Sequence, residues 1–162
     1  MPEKKKTTVP VKKRGSHRNR RAGYDLEKLV AKELRDLGFG NVITARAGNR
    51  TRDALGVDLV LADEHLVGQL PYNIQCKNST DRPQYDMLLD TMPQEPNVLN
   101  VVIHKYTIKQ GSLFRPRGYY AIMKMKEFFT MAAELKKLRA ENAGLRAELA
   151  IENVLDKGGS SL

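Results

Sequence analysis

Tryptophan is absent, and aromatic residues of every kind make up only 6% of the 162-residue chain. Cysteine occurs once, at Cys76. A single thiol excludes an internal disulfide framework and is compatible with a reducing compartment. One Cys and three scattered His also give no zinc-finger spacing. No apolar run approaches the roughly 18–20 residues of a membrane span. The N-terminus is basic but lacks the apolar stretch of a secretory signal. The expectation is a soluble intracellular protein, cytoplasmic or nucleoid-associated, with no membrane partner.

Negative charge is nearly missing from the first 22 positions, where Glu3 alone faces Lys4, Lys5, Lys6, Lys12, Lys13, Arg14, Arg18, Arg20 and Arg21. Nine cations less one anion leave +8 of the net +9 in this arm, so the remaining chain is close to neutral. A basic arm on a nearly neutral body is an electrostatic footprint for phosphate polyanions, although solvated tails share that composition. Residues 1–22 contain Pro2, Pro10 and Gly15 and no apolar periodicity, which predicts disorder until a partner is met.

What is present is enough apolar material, 41%, for one compact core. Leu26, Leu29, Val30, Leu34 and Leu37 follow helical spacing from near Tyr24, and Gly38 and Gly40 supply a stop. Strands are expected over residues 41–46, 57–62, 72–77, 98–104 and 119–123, with a short helix over 83–91. A polar, basic loop runs through Arg52, and another loop passes Gly111 and Pro116. From about residue 124 to 156 the pattern is helical again. The chain therefore divides into a basic arm (1–22), a mixed α/β core (23–123), a long C-terminal helix (124–157) and a loose tail (158–162).

The chemistry concentrates in Gly56-Val57-Asp58-Leu59-Val60 and Asn73-Ile74-Gln75-Cys76-Lys77. Strand alternation sends Gln75 and Lys77 to one face and Ile74 and Cys76 to the other. If the two strands pair, a carboxylate, an amide oxygen and an ammonium converge at one sheet end. Glu27 lies beside the apolar stripe of the first helix, so a helix packed on the sheet can aim it at the same cluster; otherwise it is a solvated flanking charge. Cys76 is expected to face the core and be inert.

This ordered set resembles the PD-(D/E)XK nuclease superfamily, and within it the archaeal-type Holliday-junction resolvases. The counterparts are Glu27 in Asp25-Leu26-Glu27-Lys28-Leu29-Val30, the loop Ala45-Arg46-Ala47-Gly48-Asn49, Asp58, and Gln75-Cys76-Lys77. The resemblance covers residues 14–78, and the later strands by order alone. It implies a restriction-endonuclease-like mixed β-sheet flanked by helices, and Mg²⁺-dependent cleavage of DNA with Mn²⁺ as a substitute. Catalysis falls to Glu27, Asp58, Gln75 and Lys77. Metal ligation falls to Asp58, Gln75, Glu27 and the Cys76 backbone carbonyl. DNA contact is assigned to Arg46, Asn49, Arg50 and Arg52 and to the arm residues Lys12, Lys13, Arg14, Arg18, Arg20 and Arg21. The chain departs from the family at Gln75, where Glu is usual, and in the loop, where Asn49 or Thr51 stands for a functional Ser.

The C-terminal helix carries heptads. Phe128, Leu135, Asn142 and Leu149 fall at a, and Met131, Leu138 and Leu145 at d. Glu134 and Glu141 at g then face Arg139 and Arg146 at e of a parallel partner, and a lone Asn at a favours two strands in one register. The expectation is a homodimeric coiled coil through Leu135, Leu138, Asn142, Leu145 and Leu149, against packing of the same stripe on its own domain. Together these features point to a dimeric resolvase of four-way DNA junctions. A general, restriction or repair nuclease and a non-catalytic DNA-binding protein on the same scaffold stand as alternatives.

Overall fold

The computed structural model describes the backbone of residues 15–158 and the side chains of residues 20–65 and 68–149. Elements follow in the order α1 (Gly15–Asp36), β1 (Val42–Thr44), α2 (Ala45–Gly48), α3 (Arg50–Ala54), β2 (Leu59–Leu61), α4 (Glu64–Val67), β3 (Tyr72–Ser79), α5 (Tyr85–Thr91), β4 (Leu99–Gln110), β5 (Leu113–Ile122) and α6 (Met125–Gly158). The architecture is mixed α/β. β1 and β2 form an antiparallel pair, and β3, β4 and β5 form a sheet in which β3–β4 is parallel and β4–β5 antiparallel.

Alternation along short apolar strands sorts the core into two layers. Leu59 and Leu61 of β2 and Ile74 and Cys76 of β3 pack with Leu26 and Ala31 of α1. Val60, flipped to the opposite side, packs with Val57, Val102 of β4, Leu89 of α5 and the adjacent Met92. One helix thus covers each face. Helix α1 ends at Gly38, whose φ of 88° lets the Phe39 amide reach back to the Leu34 carbonyl at 3.1 Å. The Arg35 guanidinium donates to the Val42 carbonyl and ties the helix to β1.

Three expectations are corrected. Helix α1 starts at Gly15, not near Tyr24, so Arg18, Arg20 and Arg21 stand on a helix instead of a disordered arm. Arg and Ala are strong helix formers, and the apolar stripe downstream supplies a nucleus from which they extend. The basic loop after β1 is folded into α2 and α3, with Asn49 capping the second of them by accepting from the Arg52 amide at 3.2 Å. The stretch through Gly111 and Pro116 is a hairpin, not a loop, for β4 and β5 pair from Val102↔Ile122 to Gln110↔Leu113. Gly111 with φ 62° turns it. Pro116 is tolerated because β5 is an edge strand and the register slips beside it, between Tyr106 and Thr107.

The described residues from 123 onward make a separate unit. Within it α6 is a continuous helix on which Leu135, Leu138, Leu145 and Leu149 are all exposed, Leu138 by 54%. Asn142 donates to the Leu138 carbonyl of its own helix at 2.9 Å. Among the described residues no helix is long and apolar enough to cross a membrane.

Candidate active site

The two sheets meet at Asp58. Its amide donates to the Ile74 carbonyl at 2.8 Å, its carbonyl accepts from the Ala45 amide at 2.7 Å, and its carboxylate Oδ2 accepts from the Cys76 amide at 2.6 Å. A side chain here replaces the backbone acceptor that a continued ladder would supply, and its headgroup is locked against the strand between Gln75 and Lys77. Burial pushes the Asp58 acid above its ordinary range, while the Cys76 N–H and the Lys77 charge restrain the rise.

Gln75 is buried, and its Oε1 has no hydrogen-bond partner among the described residues. A buried amide oxygen left unpaired costs about 1–3 kcal/mol, which contact with a water or a cation would offset. Room for that amide comes from Gly56, whose φ is 79° and where a Cβ would stand 2.9 Å from Gln75 Nε2. Lys77 lies two residues on along the same face.

Glu27 is not a solvated flank, since its side chain is only 6% exposed and pairs with Arg46 Nη2 at 3.0 Å. Burial raises its acid, the Asp58 charge raises it further, and Arg46 and Lys77 draw it back. Glu27, Asp58 and Lys77 therefore share one electrostatic neighbourhood. Asp53, absent from the expected set, belongs there too: it raises both acids, and its Oδ1 lies 4.0 Å from Arg46 Nε. The only sequence signal for it was a carboxylate five positions before Asp58 in the loop feeding β2.

The arginines separate into two roles. Arg46 is half-exposed, Arg50 is exposed, and Arg46 lines an open groove of about 480 Å³ with Arg20, Arg21 and Tyr24 of α1. Arg52, expected to grip DNA, is instead turned inward and 14% exposed. It donates to Glu95 Oε2 (2.7 Å), Gln69 Oε1 (2.6 Å), Glu64 Oε1 (3.4 Å) and Asn73 Oδ1 (3.4 Å), so its donors are consumed inside the protein. Its carbonyl accepts from Leu55 and Val57, which makes Arg52 the staple of the loop carrying Asp53 and Gly56. Asn49 is occupied as a helix cap, while Thr51 is exposed. Arg18 has no described side chain, and Lys12, Lys13 and Arg14 lie outside the described residues.

Cys76 is buried in the α1-facing layer as expected, and burial raises its thiol far from the reactive range. Among the described residues no group of three or more His, Cys, Asp or Glu is close enough to hold a metal ion. A cation here would need a donor outside that set beside the Asp58 carboxylate, and the Gln75 amide oxygen is a hard donor of that kind. Compared with models of known families, with curated proteins and with solved structures, the chain matches none.

Proposed function

We propose that the chain is a divalent-cation-dependent DNA endonuclease that acts on branched DNA, with the four-way junction as its substrate. The observation that carries this reading is the Asp58 carboxylate fastened to the Cys76 amide between Gln75 and Lys77. Helices on both faces of a mixed sheet agree with the restriction-endonuclease-like fold that the resemblance implies.

Asp58, Gln75 and the Cys76 carbonyl are the oxygens that would hold Mg²⁺ or Mn²⁺. When bound, such a cation neutralises phosphate charge and lowers the pKa of a water within reach. Lys77 orients that water and offsets the charge that builds on the phosphate oxygens. Glu27, with its raised proton affinity, is suited to take the proton the water gives up. The water oxygen bonds to phosphorus, one P–O ester bond breaks, and the departing oxygen gains a proton. A phosphomonoester and a hydroxyl result. Arg20, Arg21, Arg46 and Arg50 grip the strand through phosphates, since guanidinium matches phosphate geometry with several donors.

Cleavage of an end-labelled four-way junction beside a linear duplex of the same arms, in Mg²⁺, tests this. Paired symmetric nicks in the junction alone, lost in Lys77→Ala, are expected. Equal cutting of both substrates makes it a general nuclease. Tight junction binding with no scission in either metal favours a non-catalytic DNA-binding protein, a reading that draws on the missing charge at Gln75 and the small number of carboxylate donors.

The occupant proposed for the α6 stripe is a second copy of the chain, as a parallel coiled coil. Glu134 and Glu141 meet Arg139 and Arg146 of the partner in that orientation, whereas an antiparallel pair opposes like charges. Two sites related by a two-fold axis also suit a substrate needing two matched nicks. Leu138→Glu is expected to give a monomer by sedimentation equilibrium, with unchanged circular dichroism from the core and nicks in one strand per event. A wild-type chain that stays monomeric at every concentration sinks the dimer.

A further inference from the structure

A second cleft among the described residues plays no part in the site above. It measures about 490 Å³, within the roughly 300–1,000 Å³ of pockets that take small organic groups, and lies over β4, β5 and the start of α5. Its walls are Arg82, Tyr85, Tyr106, Arg117 and Tyr120, with His104 in the floor. Among the described residues no carboxylate lines it, and its two guanidiniums suit an anion. Neither Arg82 nor Arg117 is consumed by an ion pair among the described residues, in contrast to Arg52.

The floor is rigid. His104 is buried, with Nε2 3.0 Å from Ser79 Oγ and Nδ1 2.7 Å from the Tyr85 hydroxyl. Tyr106 meets the same imidazole edge-on, with ring centroids 5.9 Å apart. Tyr120 is 50% exposed, and its ring lies against Gly118, where a Cβ would stand 2.8 Å from its hydroxyl oxygen. An aromatic face is thus held open beside two guanidiniums.

Strand register connects this cleft to the catalytic strand. Lys77 pairs with His104, and His104 with Tyr120, so the three side chains form one row on one face of the sheet. Gln75, Val102 and Ile122 form the neighbouring row. A strand whose phosphate is at Lys77 can therefore run across the sheet and reach the tyrosines.

We propose that this cleft is a subsite for unpaired nucleotides of the DNA strand, with bases stacked on Tyr120 and Tyr106 and phosphates held by Arg82 and Arg117. The inference rests on the nuclease reading for its substrate. A base inside a duplex has both faces covered by its neighbours, and only an unpaired base offers one to an aromatic ring. The subsite selects DNA with unpaired bases next to the cleavage point, as in flaps, splayed arms and junctions whose centre is opened.

The test is fluorescence anisotropy with a short fluorescein-labelled oligothymidylate and a duplex of equal length, in chelator, so that nothing is cut. Tyr120→Ala and Arg117→Ala are each expected to weaken oligothymidylate binding about tenfold, with duplex binding changed less than about twofold. Tyr120→Trp, which keeps a stacking face, is expected to restore binding. Oligothymidylate binding that is unchanged in both alanine variants, or absent in the wild type, overturns the subsite. Because no scission is read, this result is independent of Asp58→Asn, whose cleavage assay decides the nuclease reading.

Discussion

Asp58→Asn is expected to abolish strand scission, a loss of about a thousandfold or more, while making the metal-free protein more stable. The two effects share one cause. The carboxylate is held out of water, and burial pushes its acid upward. A folded state that binds the proton more tightly than the unfolded chain is most stable below the ordinary carboxylate pKa. It loses that advantage as pH rises from the unfolded towards the folded value. At neutral pH the ionised Asp58 therefore works against folding, and Glu27, raised in the same direction, adds to it. Asn keeps an oxygen for the Cys76 amide and removes the charge. A Tm several degrees higher is expected at pH 7, since 1 kcal/mol moves a domain of this size by about 4 °C. In chelator, the wild-type Tm should fall more steeply than that of the variant as pH rises above the ordinary carboxylate range. A variant that melts lower, or still cuts, removes Asp58 from the role given to it.

Arg52→Ala has its large effect on stability and not on phosphate binding. The guanidinium serves Glu95, Glu64, Gln69 and Asn73 at once and is 14% exposed, so truncation strands partly buried acceptors. Breaking such a cluster costs about 2–3 kcal/mol after allowance for the exposure of the carboxylates, or roughly 10 °C in Tm. The Arg52 hydrogen bond also holds the Glu95 acid below its usual range, so this contribution is lost on acidification, opposite in sign to Asp58. Thermal melting of Arg52→Ala and Arg50→Ala separates the two roles. Arg50→Ala should melt like the wild type and bind DNA more weakly. Equal melting of both variants counts against the staple.

Asp58, Gln75 and Lys77 were legible because their arrangement is local: a two-residue repeat settles which face a strand residue takes. Glu27 was legible as to place, one position from the buried Leu26, but not as to burial, which depends on Arg46 arriving from 19 residues away. The inward turn of Arg52 was not legible for the same reason. Its acceptors lie 12 to 43 residues along the chain, and nothing in a run of three loop arginines marks the one that turns inward. The β4–β5 hairpin was hidden by Pro116, since a proline reads as a loop until pairing makes its strand the outermost one. The cleft of tyrosines could not be anticipated either. Its walls come from α5 and the loop before it, β4 and β5, and only the tertiary fold, with the register of β4 against β5, brings them together.

That outermost strand carries a further consequence, for solubility. An exposed sheet edge is a template on which other chains add strands, and sheet proteins that leave it flat and apolar precipitate. Here the edge is interrupted by Pro116, which has no N–H to offer, is flanked by Arg115 and Arg117, and bends at the slip beside Thr107. Each of these discourages growth of the sheet from one molecule into the next. The β5 edge is thus a poor template for joining one copy of the chain to the next.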